Sequence, residues 1–260
     1  MPDCVMWGVG GEARWIGNEA GWAGETNWSL GNNSGTSGNI NAYEWCAGES
    51  DAKATSGGWF WHEGESIRSL DNLWQFYLET IGRNATLILN IPPNQYGVLP
   101  EEDVTRLQEF GELLNKRLGT DLAKNAIVTA SDTRKAGKAR NYDASNLIDG
   151  DKETYWATND DIIDSYITFI FPEVTNVHYV SLMEYIRKGQ RIKEFEIETT
   201  EDGEEWTPIP YKNTTTVGYK RIVPLDGSTT EYGEGFNIKG IRIHIKDAKA
   251  CPTLHTVSIY

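Results

Sequence analysis

The chain has 260 residues, a formal net charge of −14 and a sequence pI near 4.8. Its Lys and Arg are scattered rather than gathered into a basic stripe that could neutralise phosphates, which excludes nucleic acid as a partner. No run approaches the roughly 18 apolar residues of a membrane-spanning helix, and the opening MPDCVMWG has neither the basic nor the apolar part of an export signal. Membrane insertion is therefore not expected. At about 100 to 200 residues per domain, the length favours two hydrophobic cores, with one large barrel as the alternative. Ten Trp and 12 Tyr supply flat faces suited to ordinary packing and to stacking on the C–H face of a sugar ring. Cys4, Cys46 and Cys251 lie far apart, lack a metal-binding spacing and cannot all pair, so free thiols are expected.

Residues 4 to 8, CVMWG, read as a short buried strand that opens at Gly8, Gly10 and Gly11 into a loop. The stretch RWIGNEAGWAGETNW, Arg14 to Trp28, then sets one carboxylate, Glu19, between tryptophans and beside an arginine. Residues 29 to 58, rich in Gly, Ser and Asn, read as a long surface loop, with Trp59-Phe60-Trp61 as the next strand. Ser69 is placed to cap a helix over Leu70 to Ile81, whose apolar residues recur at helical spacing, and Gly82 to stop it. Ala85 to Pro93, ATLILNIPP, is a continuous apolar strand. A second helix begins at Pro100 with acids in its first turn and carries Val104, Leu107, Phe110, Leu113, Leu114 and Leu118 along one face. Alternating strands and helices predict a parallel sheet covered by helices, although about three strands are too few to close an eight-stranded barrel.

After about residue 120 the pattern changes. From Asn125 onward, short alternating runs (AIVTAS, SYITFIF, YVSLMEYI, KEFEIETT, GYKRIVPL, GIRIHIK) are separated by turn signals such as DGD and EDGEE, which predicts an all-β sandwich. The chain thus reads as two domains, residues 1–120 and 121–260, joined near Gly119 to Lys124. Sequons stand at Asn27, Asn32, Asn84 and Asn213.

Hydrolysis of a glycosidic bond usually needs two carboxyl groups, one to protonate the leaving oxygen and one to attack the anomeric carbon or activate water. Glu19 is a candidate for the first: Trp15 and Trp22 could desolvate it and raise its pKa, with Arg14 pulling the other way. A plain exposed loop glutamate is the competing interpretation. Taken in order, RWIGNEAGWAGETNW, GGWFWHEGES, ETIGRNATLILNIPPNQYGVL and RLQEFGELLN resemble the C-terminal part of the catalytic domain of α-L-fucosidases of glycoside hydrolase family 29, over residues 2 to about 118. The resemblance implies the C-terminal portion of a (β/α)8-type barrel, a retaining enzyme that removes terminal α-L-fucose from fucosylated glycans, and Glu19 as its acid/base. It implies Trp59 as an aromatic packed near the fucose methyl group, with core packing as the alternative. His62 is a further candidate contact, as is Arg14, for which bracing the loop competes with touching sugar. No cofactor for catalysis is implied. In such fucosidases the nucleophile is an Asp on an earlier barrel strand, so the chain is expected to be the last part of a longer enzyme and inactive alone. Full-length relatives are expected to be secreted or periplasmic.

Residues 125 to 260 resemble a discoidin-like module of the coagulation-factor C type, close to carbohydrate-binding module family 32, on AIVTAS, NYDASNLIDGDKETYWAT, YVSLMEYIRKGQRIKEFEIE and TVGYKRI. The resemblance implies a β-sandwich jelly roll and a structural calcium held by Ala144, Asn146, Asp149, Asp151 and Thr154. His255 stands where such modules carry an acidic ligand, and a plain Asp/Gly turn is the alternative. Tyr142, Tyr155, Trp156, Arg187 and Arg191 are candidate sugar contacts, with core packing favoured for Trp156. A carbohydrate-binding or purely structural module beside an inert barrel remnant is the second reading of the whole chain.

Overall fold

A computed structural model describes residues 4–7, 11–31, 35–135 and 141–260. Two compact units emerge, one of Met1–Thr120 with Thr229–Glu231, the other of Asp121–Ser228 with Tyr232–Tyr260.

In the first unit, strands β1 (Ala13–Trp15), β2 (Ala47–Lys53) and β3 (Ala85–Asn90) form a parallel sheet in that order, with Ala13 opposite Ala47 and Glu49 opposite Thr86. The central strand, β2, falls inside the segment expected to be a loop. Its sequence, AGESDAK, is small on one face and polar on the other, so no apolar alternation marks it. Gly48, Ser50 and Ala52 make the buried small face. A Cβ on Gly48 would crowd Arg14 and Ile16 at 3.2 Å, and one on Gly21 would meet Phe76 at 2.6 Å, which leaves room only for glycine at position 21. Two further expectations are corrected. Trp59-Phe60-Trp61 lies in a bend rather than a strand, because the chain leaving β2 is pinned by a Thr55–Ile67 bridge and cannot run on extended. Of CVMWG, residues 4–7 show only a single parallel bridge from Trp7 to Ala13, and Gly8 lies outside the described residues.

Helix α1 (Leu70–Glu79) starts where Ser69 accepts the Asn72 N–H at 3.3 Å, and it buries Leu73, Trp74 and Leu78. After Thr80 the chain turns off the helix with the Gly82 N–H on the Tyr77 carbonyl at 3.0 Å, a turn that requires glycine because a Cβ would meet the Leu78 carbonyl at 2.3 Å. Helix α2 (Glu101–Leu118) carries three acids in its first turn and Lys116 and Arg117 in its last, matching the helix dipole. Its apolar stripe is only half covered: Asp103 is its one buried residue. The guanidinium of Arg117 lies 4.7 Å from the Trp74 ring centre.

The second unit is a β-sandwich. One sheet has five strands in the order β4 (Ile127–Ala130), β6 (Ser165–Val177), β11 (Phe236–Ala248), β8 (Ile192–Thr200) and β9 (Thr207–Pro208). The other has four, in the order β10 (Arg221–Pro224), β7 (Tyr179–Glu184), β12 (Thr253–Ile259) and β5 (Trp156–Ala157), and every pairing is antiparallel. Phe169, Ile197 and Ile243 from the first sheet meet Val180, Leu182 and Val257 from the second in one core. Strand β12 was not expected, since it is buried on both faces and shows no period of two. Trp156 is fully buried and donates its indole N–H to the Asp132 carbonyl at 3.1 Å, so it packs the core and does not present itself to a ligand. All three cysteines are unpaired.

Glu184 closes this unit from within. Fully buried at the end of β7, it accepts backbone N–H bonds from Arg191 (2.7 Å), Ile192 (3.0 Å) and Gly218 (2.7 Å). Burial pushes its carboxyl up to about 7 against those donors, which favour the charged form. Glu184→Gln turns one acceptor oxygen into a donor facing a buried N–H. The expected loss is about 1–3 kcal/mol in urea denaturation of the sandwich.

Candidate active site

The carboxyl ends of all three parallel strands lead to side chains that meet. Beyond β1, Gly17 (φ +98°) and the Asn18 turn, in which the Ala20 N–H bonds Asn18 Oδ1 at 3.0 Å, bring Glu19 to the surface. The Gly21 N–H then returns to the Asp51 carbonyl of β2 at 3.0 Å. Beyond β2, Lys53 Nζ donates to the Gly57 carbonyl at 2.7 Å and the Gly58 N–H to Glu65 at 3.2 Å, which folds the loop that carries Trp59. At the end of β3, Asn90 Nδ2 donates to the Trp59 carbonyl at 3.0 Å. So held, Trp59 donates its indole N–H to Glu19 Oε2 at 3.1 Å. The carboxylate is exposed, and its other oxygen has no protein partner among the described residues.

His62, on the same loop, is exposed with its ring edge over Gly58, and no contact links it to Glu19. Arg14 braces the loop, the first of the two roles weighed for it. Its side chain points to the small face of β2, opposite to Glu49, and is 1% exposed. It donates to Asn27 Oδ1 at 2.7 Å, to the Trp28 carbonyl at 3.2 Å and to the Gly35 carbonyl. Asn27 in turn donates to the carbonyls of Arg83 (2.8 Å) and Asn84 (3.0 Å), while Asn84 donates to the Asn27 carbonyl (2.9 Å) and Ser29 (3.0 Å). This buried net ties the segment after β1 to the start of β3. Two sequons, Asn27 and Asn84, are thereby structural residues, whereas Asn213 is exposed and Asn32 lies outside the described residues.

A second carboxyl lies deeper on the open face of the sheet. Glu49 is 5% exposed and accepts the Trp7 indole N–H at 2.7 Å. Burial, with a further push from the adjacent Asp51 carboxyl, raises it to about 7. Its partner Trp7 stands 42 residues away in sequence, so this site could not be read locally.

In the second unit, the loop from Ala144 to Thr154 is closed by its own bonds. Asp149 accepts the Asp151 N–H (2.8 Å) and the Thr154 hydroxyl (2.7 Å), Asp151 accepts the Glu153 N–H (2.9 Å), and Asn146 donates to Asn141 and Tyr155 carbonyls at 3.0 Å each. Ala144 is buried in the short 3-10 turn that opens the loop. His255 is mostly buried, and its proton affinity falls through burial first and the nearby Lys152 charge second. Among the described residues no group of three or more His, Cys, Asp or Glu could hold a metal ion. Beside this loop, Tyr155 stacks on Tyr185 with ring centres 4.2 Å apart and meets Tyr142 at a tilt, 5.0 Å away, and the three wall a cavity of about 530 Å³ with Asn141, Glu153 and Lys188.

The first unit is thus an α/β sheet that presents an exposed carboxylate, held by an indole, beyond the carboxyl ends of its parallel strands, and the second is a β-sandwich module. Residues 20–118 match the family model described as Alpha-L-fucosidase, and residues 127–253 match F5/8 type C domain. Alpha-L-fucosidase 1 of Arabidopsis thaliana is 32% identical over 236 residues, which is 86% of this chain and 46% of that protein. The crystal structure of a Ruminococcus gnavus GH29 fucosidase in complex with fucose superposes with a TM-score of 0.86 at 31% identity, over 99% of this chain and 52% of that one. Residues 20–118 are accordingly similar to part of the alpha-L-fucosidase family, and residues 127–253 to an F5/8 type C module. The chain spans about half the length of the relatives it matches. No helix among the described residues is long and apolar enough to cross a membrane.

The state of Glu49 predicts a pH dependence. The folded protein holds this proton up to about 7, whereas the ordinary value is 4.5, so between those limits the unfolded chain binds fewer protons and stability falls as pH rises. The loss through Glu49 is on the order of 3 kcal/mol. Glu49→Gln should remove it, read as the difference between wild-type and variant stability at about pH 5 and about pH 8. Glu184 acts with the same sign in both proteins and cancels.

Proposed function

We propose that this chain is part of a retaining α-L-fucosidase acting on fucosylated glycans, with its parallel sheet as the C-terminal portion of a (β/α)8-type barrel and Glu19 as the acid/base. The bond from the Trp59 indole to Glu19 Oε2 carries the proposal, because it fixes one oxygen and leaves Oε1 facing the space where a leaving group departs. In the first step Glu19 protonates the glycosidic oxygen as that bond breaks; in the second it takes a proton from the water that releases fucose. The nucleophile must stand about 5–5.5 Å from Glu19 and is assigned to the portion of the relatives that this chain does not span. Trp59 is positioned to pack against fucose as well as to orient the acid, with His62 a lesser contact.

Two measurements test this. The 260-residue chain alone should not turn over an aryl α-L-fucoside. In a chimera that replaces the matching half of the Ruminococcus gnavus enzyme with this chain, Glu19→Gln should lower hydrolysis of a fucosyl-oligosaccharide by about 10²–10⁴-fold. The same variant should lose far less on fucosyl fluoride, whose leaving group needs no proton. Equal losses on both substrates would remove the acid/base assignment.

For the sandwich we propose a carbohydrate-binding role, favoured by the three clustered tyrosines along an open cavity. A structural calcium fits poorly, since the loop carboxylates are engaged within the loop and Lys152 places positive charge beside it. Millimolar calcium should leave the melting temperature unchanged; a dose-dependent rise would restore the ion.

A further inference from the structure

We propose that Cys251 is a covalent modification site, at which a small disulfide carrying carboxylates exchanges with the thiol to leave a mixed disulfide. The inference lies beyond fucose hydrolysis and beyond sugar binding by the sandwich, and its residues all belong to the second unit. Four loops converge on a cavity of about 300 Å³. Arg134 follows β4, Asp160 follows β5, Lys188 and Arg191 lie between β7 and β8, and Cys251 lies between β11 and β12.

Three features distinguish this thiol. Donors are already aimed at the sulfur: Arg191 Nη1 donates to Cys251 Sγ at 3.1 Å, and Arg134 Nη1 stands 3.9 Å from it. Both guanidiniums are locked, Arg134 by two bonds to Asp160 (2.6 and 3.0 Å), Arg191 by the carbonyls of Cys251 (2.7 Å) and Lys188 (3.0 and 2.9 Å). An attacking sulfur carries negative charge, and fixed donors pointing at that charge favour the attack. The cavity also holds groups that await a ligand. Thr253 is 2% exposed and lines it with a buried hydroxyl that has no partner among the described residues, and the exposed Lys188 ammonium has none there either. A buried hydroxyl left unbonded is costly, and a ligand carboxylate would satisfy it and the ammonium together. Finally, three cations face one carboxylate in a chain of net charge −14, so an anion is drawn to this wall in preference to the rest of the surface. The other thiols differ: Cys46 is fully buried, which pushes its thiol up, and Cys4 is exposed and serves as the internal reference.

In the exchange Cys251 releases its proton to solvent and its sulfur bonds one sulfur of the reagent as the reagent's S–S bond breaks. The other half leaves as a thiolate that takes up a proton. The test incubates the 260-residue chain with oxidised glutathione, a net anion, or with the neutral 2-hydroxyethyl disulfide, and follows labelling of each cysteine by peptide mass mapping. The ratio of Cys251 to Cys4 labelling should be about tenfold higher with glutathione than with the neutral reagent. Lys188→Gln, a change at an exposed position, should lower glutathione labelling of Cys251 about threefold and leave labelling by the neutral reagent unchanged. Thr253→Val should also lower glutathione labelling, with the melting temperature held, since no bond within the protein is lost. Labelling of Cys4 alone, the same ratio with both reagents, or glutathione labelling of Cys251 unaltered in Lys188→Gln would each overturn the assignment.

Discussion

The buried guanidinium of Arg14 governs the geometry of the first unit. A charge taken out of water is costly unless its hydrogens find acceptors, and here Asn27, Trp28 and Gly35 serve the two terminal nitrogens, while the buried Nε has no partner among the described residues. That requirement fixes the segment after β1, and Glu19 stands five residues after the arginine at its edge. It also bears on β2, since any side chain at position 48 would crowd the guanidinium and make it shift. Removing one member of such a net leaves the others buried and unpaired, so its cost is expected to exceed that of any one bond.

This constraint explains what the sequence concealed. Helices α1 and α2 were legible because caps, first-turn acids and apolar spacing are local signals. Strand β3 was legible from its continuous apolar run. Strand β2 was not, because its residues were chosen by neighbours far away: Arg14 and Phe76 demand smallness on one face, and the open face carries Glu49, Asp51 and Lys53. Strand β12 was hidden by the opposite cause, burial on both sides. Within the site, the motif singled out Glu19 and Trp59, but only the fold reveals that one bonds the other. Arg14 showed the limit of proximity in sequence, since a strand sends adjacent side chains to opposite faces.

The sandwich places polar groups differently. Its core is apolar, and its one fully buried carboxyl, Glu184, serves three backbone donors rather than a charge partner. The loops so anchored flank the cluster of Tyr142, Tyr155 and Tyr185, so a rigid framework underlies these partly buried rings. The first unit arrives at a comparable arrangement by other means, with asparagines and prolines setting the plane of Trp59 and its neighbours.

The inward-facing amides of Asn27 and Asn84 have a consequence for production of this protein. Each lies in an acceptor triplet, and oligosaccharide transfer in a eukaryotic secretory pathway acts on the nascent chain before such amides are enclosed. A glycan on either nitrogen would occupy the space that the guanidinium net fills and would hold the polypeptide open. Bacterial cytoplasm, which attaches none, is the compatible expression host, and secreted yeast or insect material would accumulate as retained, glycan-bearing chains.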